Sequence, residues 1–377
     1  MLGRVFSAAL ERFAAGVGLA ILSTLLFLLA AEGLLRLYDG AVHDAPAVST
    51  DPRAALYQDH PYLPTVLKPS TDYRDSDTAG HVNALGLRGP ERTVEKAPGT
   101  LRVLCVGGST TFGAGIVGDE NTWPARLEEQ LSRLRPDRRF EVWNAGVPGY
   151  TTAENVIYLS LRLIDFHPDV VVLYEGYNDF KPNRHPGFRG DYAHWRNRAV
   201  VPQRPLLDNL RLYTKLRSLI RRLRPKGDAE VTDPGTGLKL QRFDSVDEEG
   251  IGIFKRNLET MIAVTRSAGA LPVLATYAHP CTEANLQARP GQFDYLREFL
   301  PGLTFSGVMQ AFDRHNEAIR EVSRAREVIL ADAALNLPPD PDLFVDHVHF
   351  NARGAGLFAA VVAPAVISAA RTSDAAP

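Results

Sequence analysis

Leu101-Arg102-Val103-Leu104-Cys105-Val106-Gly107-Gly108-Ser109-Thr110-Thr111 is an apolar, β-branched run that stops at two glycines and a hydroxyl residue. Such a run reads as a strand buried on both faces, and the glycines mark a tight turn at its C-terminal end. In an open α/β sheet that edge is where ligands bind. Ser109 therefore stands where a serine nucleophile would be useful, and the rest of the chain can be searched for its partners.

Outward from that stretch the pattern repeats. A helix is expected over Trp123–Leu134, with Pro136 as a stop. A second strand follows over Phe140–Asn144, then a helix over Ala153–Ile164 and a third strand over Asp169–Tyr174. Strand, glycine turn and helix in alternation predict a parallel sheet wrapped by helices. Between Phe180 and Gly250 the alternation breaks into prolines, aromatics and a basic stretch, Leu206–Leu223. An insertion of this size after a strand end covers or shapes a site. Alternation then resumes: helix Ile253–Ala268, strand Leu271–Tyr277, helix Val308–Arg324, strand Val328–Ala331 and a last helix over Ala352–Ala369.

Upstream, residues 36–99 read as a linker and lead-in, interrupted by Pro46, Pro52, Pro61, Pro64, Pro69 and Pro98. Within it, Asn83-Ala-Leu-Gly-Leu-Arg-Gly-Pro-Glu91 reads as a turn tucked against the domain. Residues 13–35 are expected as a transmembrane anchor, because Phe13 to Ala31 is uncharged for about 28 Å of helix. A signal peptide's apolar core is shorter, about 7–15 residues, and no Ala-x-Ala site follows closely. Arg4 and Arg12 place residues 1–12 in the cytoplasm and the rest of the chain across the membrane, periplasmic or extracellular. The folded domain is expected over 100–371, with the insertion at 180–250 and a tail at 372–377.

Composition narrows the function classes. The 377 residues are 45% hydrophobic and 23% charged, with a net charge of −2, which argues against nucleic acid as a partner. The two cysteines, Cys105 and Cys281, make no disulfide framework, and Cys105 reads as core. Gly113-Ala-Gly115-Ile-Val-Gly118 spells a dinucleotide fingerprint, but it begins seven residues after Val106 rather than in the strand-to-helix turn. Asn144 also ends the second strand where an acid for the ribose would be wanted, so no nucleotide partner is expected.

Three strand ends carry polar groups: Ser109, Asn144 with Gly146, and Asn178 with Asp179. A fourth group comes late, in Val345-Asp346-His347-Val348-His349-Phe350. An Asp three residues before a His can hold its tautomer, and the His can then serve a serine as general base. The N–H groups of Ser109 and Gly146 and the amide of Asn178 would supply an oxyanion hole. Asp179 reads as a structural hydrogen-bonding partner. His347 should point away from the side of His349 if the segment is extended. No further ligand group lies near these histidines in sequence, so neither a metal nor another cofactor is expected.

Gly107-Gly108-Ser109-Thr110, Asn144-Ala-Gly146-x-x-Gly149, Gly176-x-Asn178-Asp179 and Asp346-x-x-His349 together resemble the four blocks of the SGNH (GDSL-type) hydrolase family, in its order and spacing. The first block departs from that pattern, reading Gly-Gly-Ser-Thr instead of Gly-Asp-Ser-Leu. The anchor with Asn-Ala-Leu-Gly-Leu-Arg-Gly is similar to a membrane-tethered bacterial subgroup. The resemblance implies a flavodoxin-like three-layer α/β/α fold with about five parallel strands and a serine esterase site. It makes Ser109 the nucleophile, His349 the base, Asp346 its orienting acid, and Gly146 and Asn178 oxyanion donors. Acyl esters, O-acetyl groups on cell-surface polysaccharide first, are the expected substrates, with Tyr150, Phe180, Tyr192 and Trp195 to stack on sugar rings. An O-acyltransferase using the same site and a non-catalytic scaffold in polysaccharide export are the alternatives.

Overall fold

The computed structural model describes residues 15–35 (without 21 and 25), 56–196 (without 76) and 241–374. The chain divides into two units, Met1–Val48 with Val201–Ala229, and Ser49–Val200 with Glu230–Pro377. Of the first, the described part is a helix, α1 (Ala15–Leu35), long and apolar enough to cross a membrane. The basic stretch at 206–223 lies outside the described residues.

The second unit is built on five parallel strands: β5 (Thr100–Gly107), β6 (Arg139–Gly146), β7 (Val170–Tyr174), β8 (Leu271–Ala275) and β9 (Ile329–Ala331). Their spatial order is β6-β5-β7-β8-β9, the flavodoxin-like order, with the switch point beside β5. All eight residues of β5 and all five of β7 are buried, which is why both read as continuous apolar runs. Five helices and the short turn that opens at Ser109 follow the strands. Here α2 is Ser109–Phe112, α3 Trp123–Leu134, α4 Thr152–Leu161, α5 Glu248–Ser267, α6 Phe305–Arg326 and α7 Ala352–Asp374. Helices α3 and α7 pack together on one face, where Trp123 meets Phe358 with ring centroids 5.1 Å apart. Helices α4, α5 and α6 cover the other face. Helix α7 is apolar over a membrane-spanning length, but half of that span is buried, as suits a core helix.

The lead-in holds more structure than its prolines suggest. Two antiparallel hairpins form in it, β1 (Tyr57–Gln58) with β2 (Val66–Leu67) and β3 (Thr71–Arg74) with β4 (Ala79–Val82). The chain then turns so that Arg88 bridges to Val82 on one side and to Asn144 of β6 on the other. This covers the end of an edge strand that would otherwise present unpaired backbone. Cys105 and Cys281 are both buried and free.

Candidate active site

The C-terminal ends of β5 and β7 converge on one crevice edge. Gly107 and Gly108 end β5 without side chains, and a Cβ at Gly108 would lie 2.6 Å from the Asn178 amide nitrogen. The glycine is what lets the Asn178 side chain lie directly against the turn that carries Ser109.

Ser109 opens α2, so its N–H has no acceptor within the helix. Its hydroxyl lies 2.8 Å from His349 Nε2, across 240 residues of sequence. His349 Nδ1 lies 2.7 Å from Asp346 Oδ2, while Asp346 Oδ1 accepts the N–H groups of Val348 and His349 at 2.8 Å each. The carboxylate thus builds its own turn and fixes the imidazole with Nδ1 as donor, leaving Nε2 to accept the serine proton. Burial opposes charge on Asp346, but attraction and hydrogen bonding from His349, with lesser help from His347, hold its pKa well below the ordinary carboxylate range. Side-chain exposures of 17% for His349 and 29% for Asp346 leave the pair reachable by a substrate.

The loop carrying Asp346 and His349 is held from three directions. Gln292 Nε2 donates to the carbonyls of Pro341, Phe344 and Asp346. Cys281 Sγ donates to the His347 carbonyl at 3.3 Å. His347 turns away from Ser109, and its Nε2 lies 2.5 Å from the Tyr177 hydroxyl. Burial pushes the His347 imidazole down to about 4, so it is neutral at pH 7 and accepts from Tyr177. Since Tyr177 directly precedes Asn178, this bond ties the amide-bearing strand end to the Asp346 turn.

Asn178 Nδ2 uses one hydrogen on the Tyr150 carbonyl at 2.8 Å, and the other remains for an incoming oxygen. Asp179, next in sequence, is buried and accepts from the Thr152 N–H and hydroxyl and from the Tyr192 hydroxyl. Burial raises its carboxyl to about 6 against the pull of those donors.

Several expected site residues are engaged in other contacts. The Gly146 N–H donates to Asn144 Oδ1 at 3.0 Å, and a Cβ there would be 2.1 Å from the Phe112 nitrogen. Gly146 is therefore a close-packing position whose N–H is engaged by its own strand end. Tyr150, Phe180 and Tyr192 are each 1% exposed and cannot stack on a sugar. The Tyr150 hydroxyl donates to the Thr65 carbonyl, Phe180 packs on Phe312 and His315, and Tyr192 is bound to Asp179. Trp195 is half-buried, its ring 5.6 Å from His185. The sequence reading missed the supports Gln292, Tyr177 and Arg88, although Tyr177 is the unspecified position of the Gly176-x-Asn178-Asp179 block and Arg88 lies in the Asn83–Glu91 stretch.

Residues 105–357 match the model of the GDSL-like lipase/acylhydrolase family. The chain belongs to this family. It is accordingly a carboxylic ester hydrolase, with the fold the strand order gives. Among curated proteins none matches it. Solved structures similar to the hydrolase include a GDSL-like lipase from Bacteroides thetaiotaomicron, with 14% identity, a TM-score of 0.38, and coverage of 71% of this chain and 88% of that one. An acetyl xylan esterase, AlAXEase, shows 18% identity and a TM-score of 0.41 over 71% of this chain and 100% of its own. TesA shows 14% and 0.42 over 71% and 99%. At this level of similarity they bear on neither substrate nor mechanism.

Proposed function

We propose that this GDSL-family hydrolase uses Ser109, His349 and Asp346 as nucleophile, base and orienting acid, and that it acts from a membrane anchor on small acyl esters of cell-surface polysaccharide. The observation that carries the catalytic part is the unbroken contact from Ser109 Oγ to His349 Nε2 at 2.8 Å and from His349 Nδ1 to Asp346 Oδ2 at 2.7 Å. As Ser109 Oγ attacks the ester carbonyl, its proton passes to His349 Nε2, and Asp346 stabilises the imidazolium. The carbonyl oxygen becomes an oxyanion facing the Ser109 N–H and the second Asn178 amide hydrogen. The imidazolium then protonates the leaving alcohol. Water, deprotonated by the same histidine, clears the acyl group.

The anchor rests on α1 and on the arginines before it. The full chain in detergent, treated with a fluorophosphonate, should be labelled, and Ser109→Ala but not Ser306→Ala should abolish the label. An unlabelled wild type would favour a scaffold. A reporter fused after Gly40 should be active only outside the cytoplasm; activity inside would overturn the topology. Acetylated glycans assayed with and without an acceptor sugar decide between hydrolysis and transfer, and release of free acetate is the expected result.

A further inference from the structure

The helix that carries Ser109 is four residues long, too short to hold itself by its own ladder. Its internal closure is the Gly113 N–H on the Ser109 carbonyl at 2.9 Å, with the Ala114 N–H on the same oxygen at 3.0 Å. The carbonyls at its far end must find partners outside it. They find Arg88. Arg88 Nη1 donates to the Phe112 and Gly113 carbonyls at 3.0 and 2.8 Å. Its Nη2 donates to those of Ala79 and Ile116 at 2.9 and 3.1 Å, and Nε to Asp119 Oδ1 at 2.8 Å. The guanidinium lies 4.9 Å from the centre of the Phe112 ring, and its side chain has no exposure. Asn144 Nδ2 donates to the same Phe112 carbonyl at 3.1 Å. A fixed fork of five donors, placed where the negative end of the helix points, sets both the position and the tilt of α2.

We propose that Arg88 is a positioning residue for Ser109, which makes the Asn83–Glu91 turn part of the catalytic apparatus. The inference rests on the reading of Ser109 as nucleophile. Arg88 touches neither substrate nor the reacting atoms; it acts by keeping Ser109 Oγ within reach of His349 Nε2. Arg102 is the built-in control. It is equally buried and also donates to four carbonyls, those of Thr93, Val94, Glu95 and Phe166, and to one carboxylate, Glu141, at the opposite end of β5.

The test compares Arg88→Lys and Arg102→Lys in the full chain in detergent, each kept well below its melting temperature. The readouts are the rate of fluorophosphonate labelling per folded molecule, and kcat and KM on a short nitrophenyl ester. A lysine cannot reproduce the fork, so both variants should melt earlier. Arg88→Lys should in addition slow labelling and kcat by about tenfold to a hundredfold, with KM within about twofold, as a displacement of an ångström or less would. Arg102→Lys should label within about twofold of wild type. Labelling of Arg88→Lys at the wild-type rate, or equal slowing in both variants, would overturn the proposal. Should Arg88→Lys not fold, Asp119→Asn decides, since it keeps the arginine but removes the charge that fixes Nε. Labelling slowed about threefold or more supports the proposal, and an unchanged rate sinks it. A wild type that is not labelled at Ser109 would instead refute the nucleophile assignment itself.

Discussion

The two ends of β5 are built with the same device and put to different use. At the N-terminal end Arg102 gathers the carbonyls of Thr93, Val94, Glu95 and Phe166, and Asp169 accepts both the Arg102 N–H and the Lys96 ammonium. The groups there bind one another rather than a ligand, and the result is closure. At the C-terminal end Arg88 gathers a like set of carbonyls, yet Ser109 and His349 next to it stay half-exposed. The difference comes from topology. At the C-terminal ends the connections leaving the neighbours β5 and β7 part to opposite sides, toward β6 and β8, and that divergence is what opens a crevice in such a sheet. A buried arginine therefore marks rigidity, and what surrounds it decides whether rigidity serves the fold or a site.

Breaking the C-terminal end chemically should give the largest effect. Ser109→Ala is expected to lower kcat on a nitrophenyl ester by about ten-thousandfold or more while leaving the melting temperature within a few degrees. Asp346→Asn should lower kcat by about a thousandfold to ten-thousandfold, because an amide no longer dictates which imidazole nitrogen carries the proton. Measured by the same assay, a loss under tenfold in either would remove the charge-oriented serine from the mechanism. Glu141→Gln, at the other end, should sharpen the contrast. It leaves the Arg102 charge unpaired, at a cost of about 3–5 kcal/mol in urea unfolding, with activity per folded molecule within about twofold. Asn178→Ala should reduce kcat by about a hundredfold to a thousandfold with little change in KM, as for a donor used at the developing oxyanion.

The same contrast explains what could be read from sequence. Strands β5 and β7 were legible because a parallel strand buried on both faces is apolar throughout, and the strand-end blocks lie directly after them. Asp346 and His349 were legible because their bond is local. Arg88 was not, since its acceptors are backbone carbonyls from Ala79, Phe112, Gly113 and Ile116, which any sequence provides. Strands β1 to β4 are two to four residues long, too short for a period to show. Tyr150 and Tyr192 were expected to stack their rings on sugars. Both instead find buried acceptors, the Thr65 carbonyl and Asp179. Gly146 was placed at the correct edge, but the direction of its N–H is set by the Asn144 side chain, which position alone does not reveal.

The carboxylates at the two ends give the smallest and most discriminating prediction. Asp169 is met by the Lys96 ammonium at 2.7 Å, whereas the partners of Asp179 are the neutral Thr152 and Tyr192. Burial without a countercharge raises the Asp179 carboxyl to about 6. In the unfolded chain it should titrate near 3.9. Between about pH 4 and 6 the native state therefore holds more protons than the unfolded one, and this residue's contribution to stability falls as pH rises through that window. A difference of about two units corresponds to on the order of 3 kcal/mol between pH 4 and pH 7. Asp179→Asn should remove that slope, so urea unfolding ought to show the variant gaining on wild type as pH rises from 4 to 7. Burial holds His279, His315 and His347 down to about 4, which tilts both proteins the opposite way. The difference between the two proteins isolates Asp179, and a pH-independent difference would mean that its carboxylate keeps its charge throughout, as a cation-paired one would.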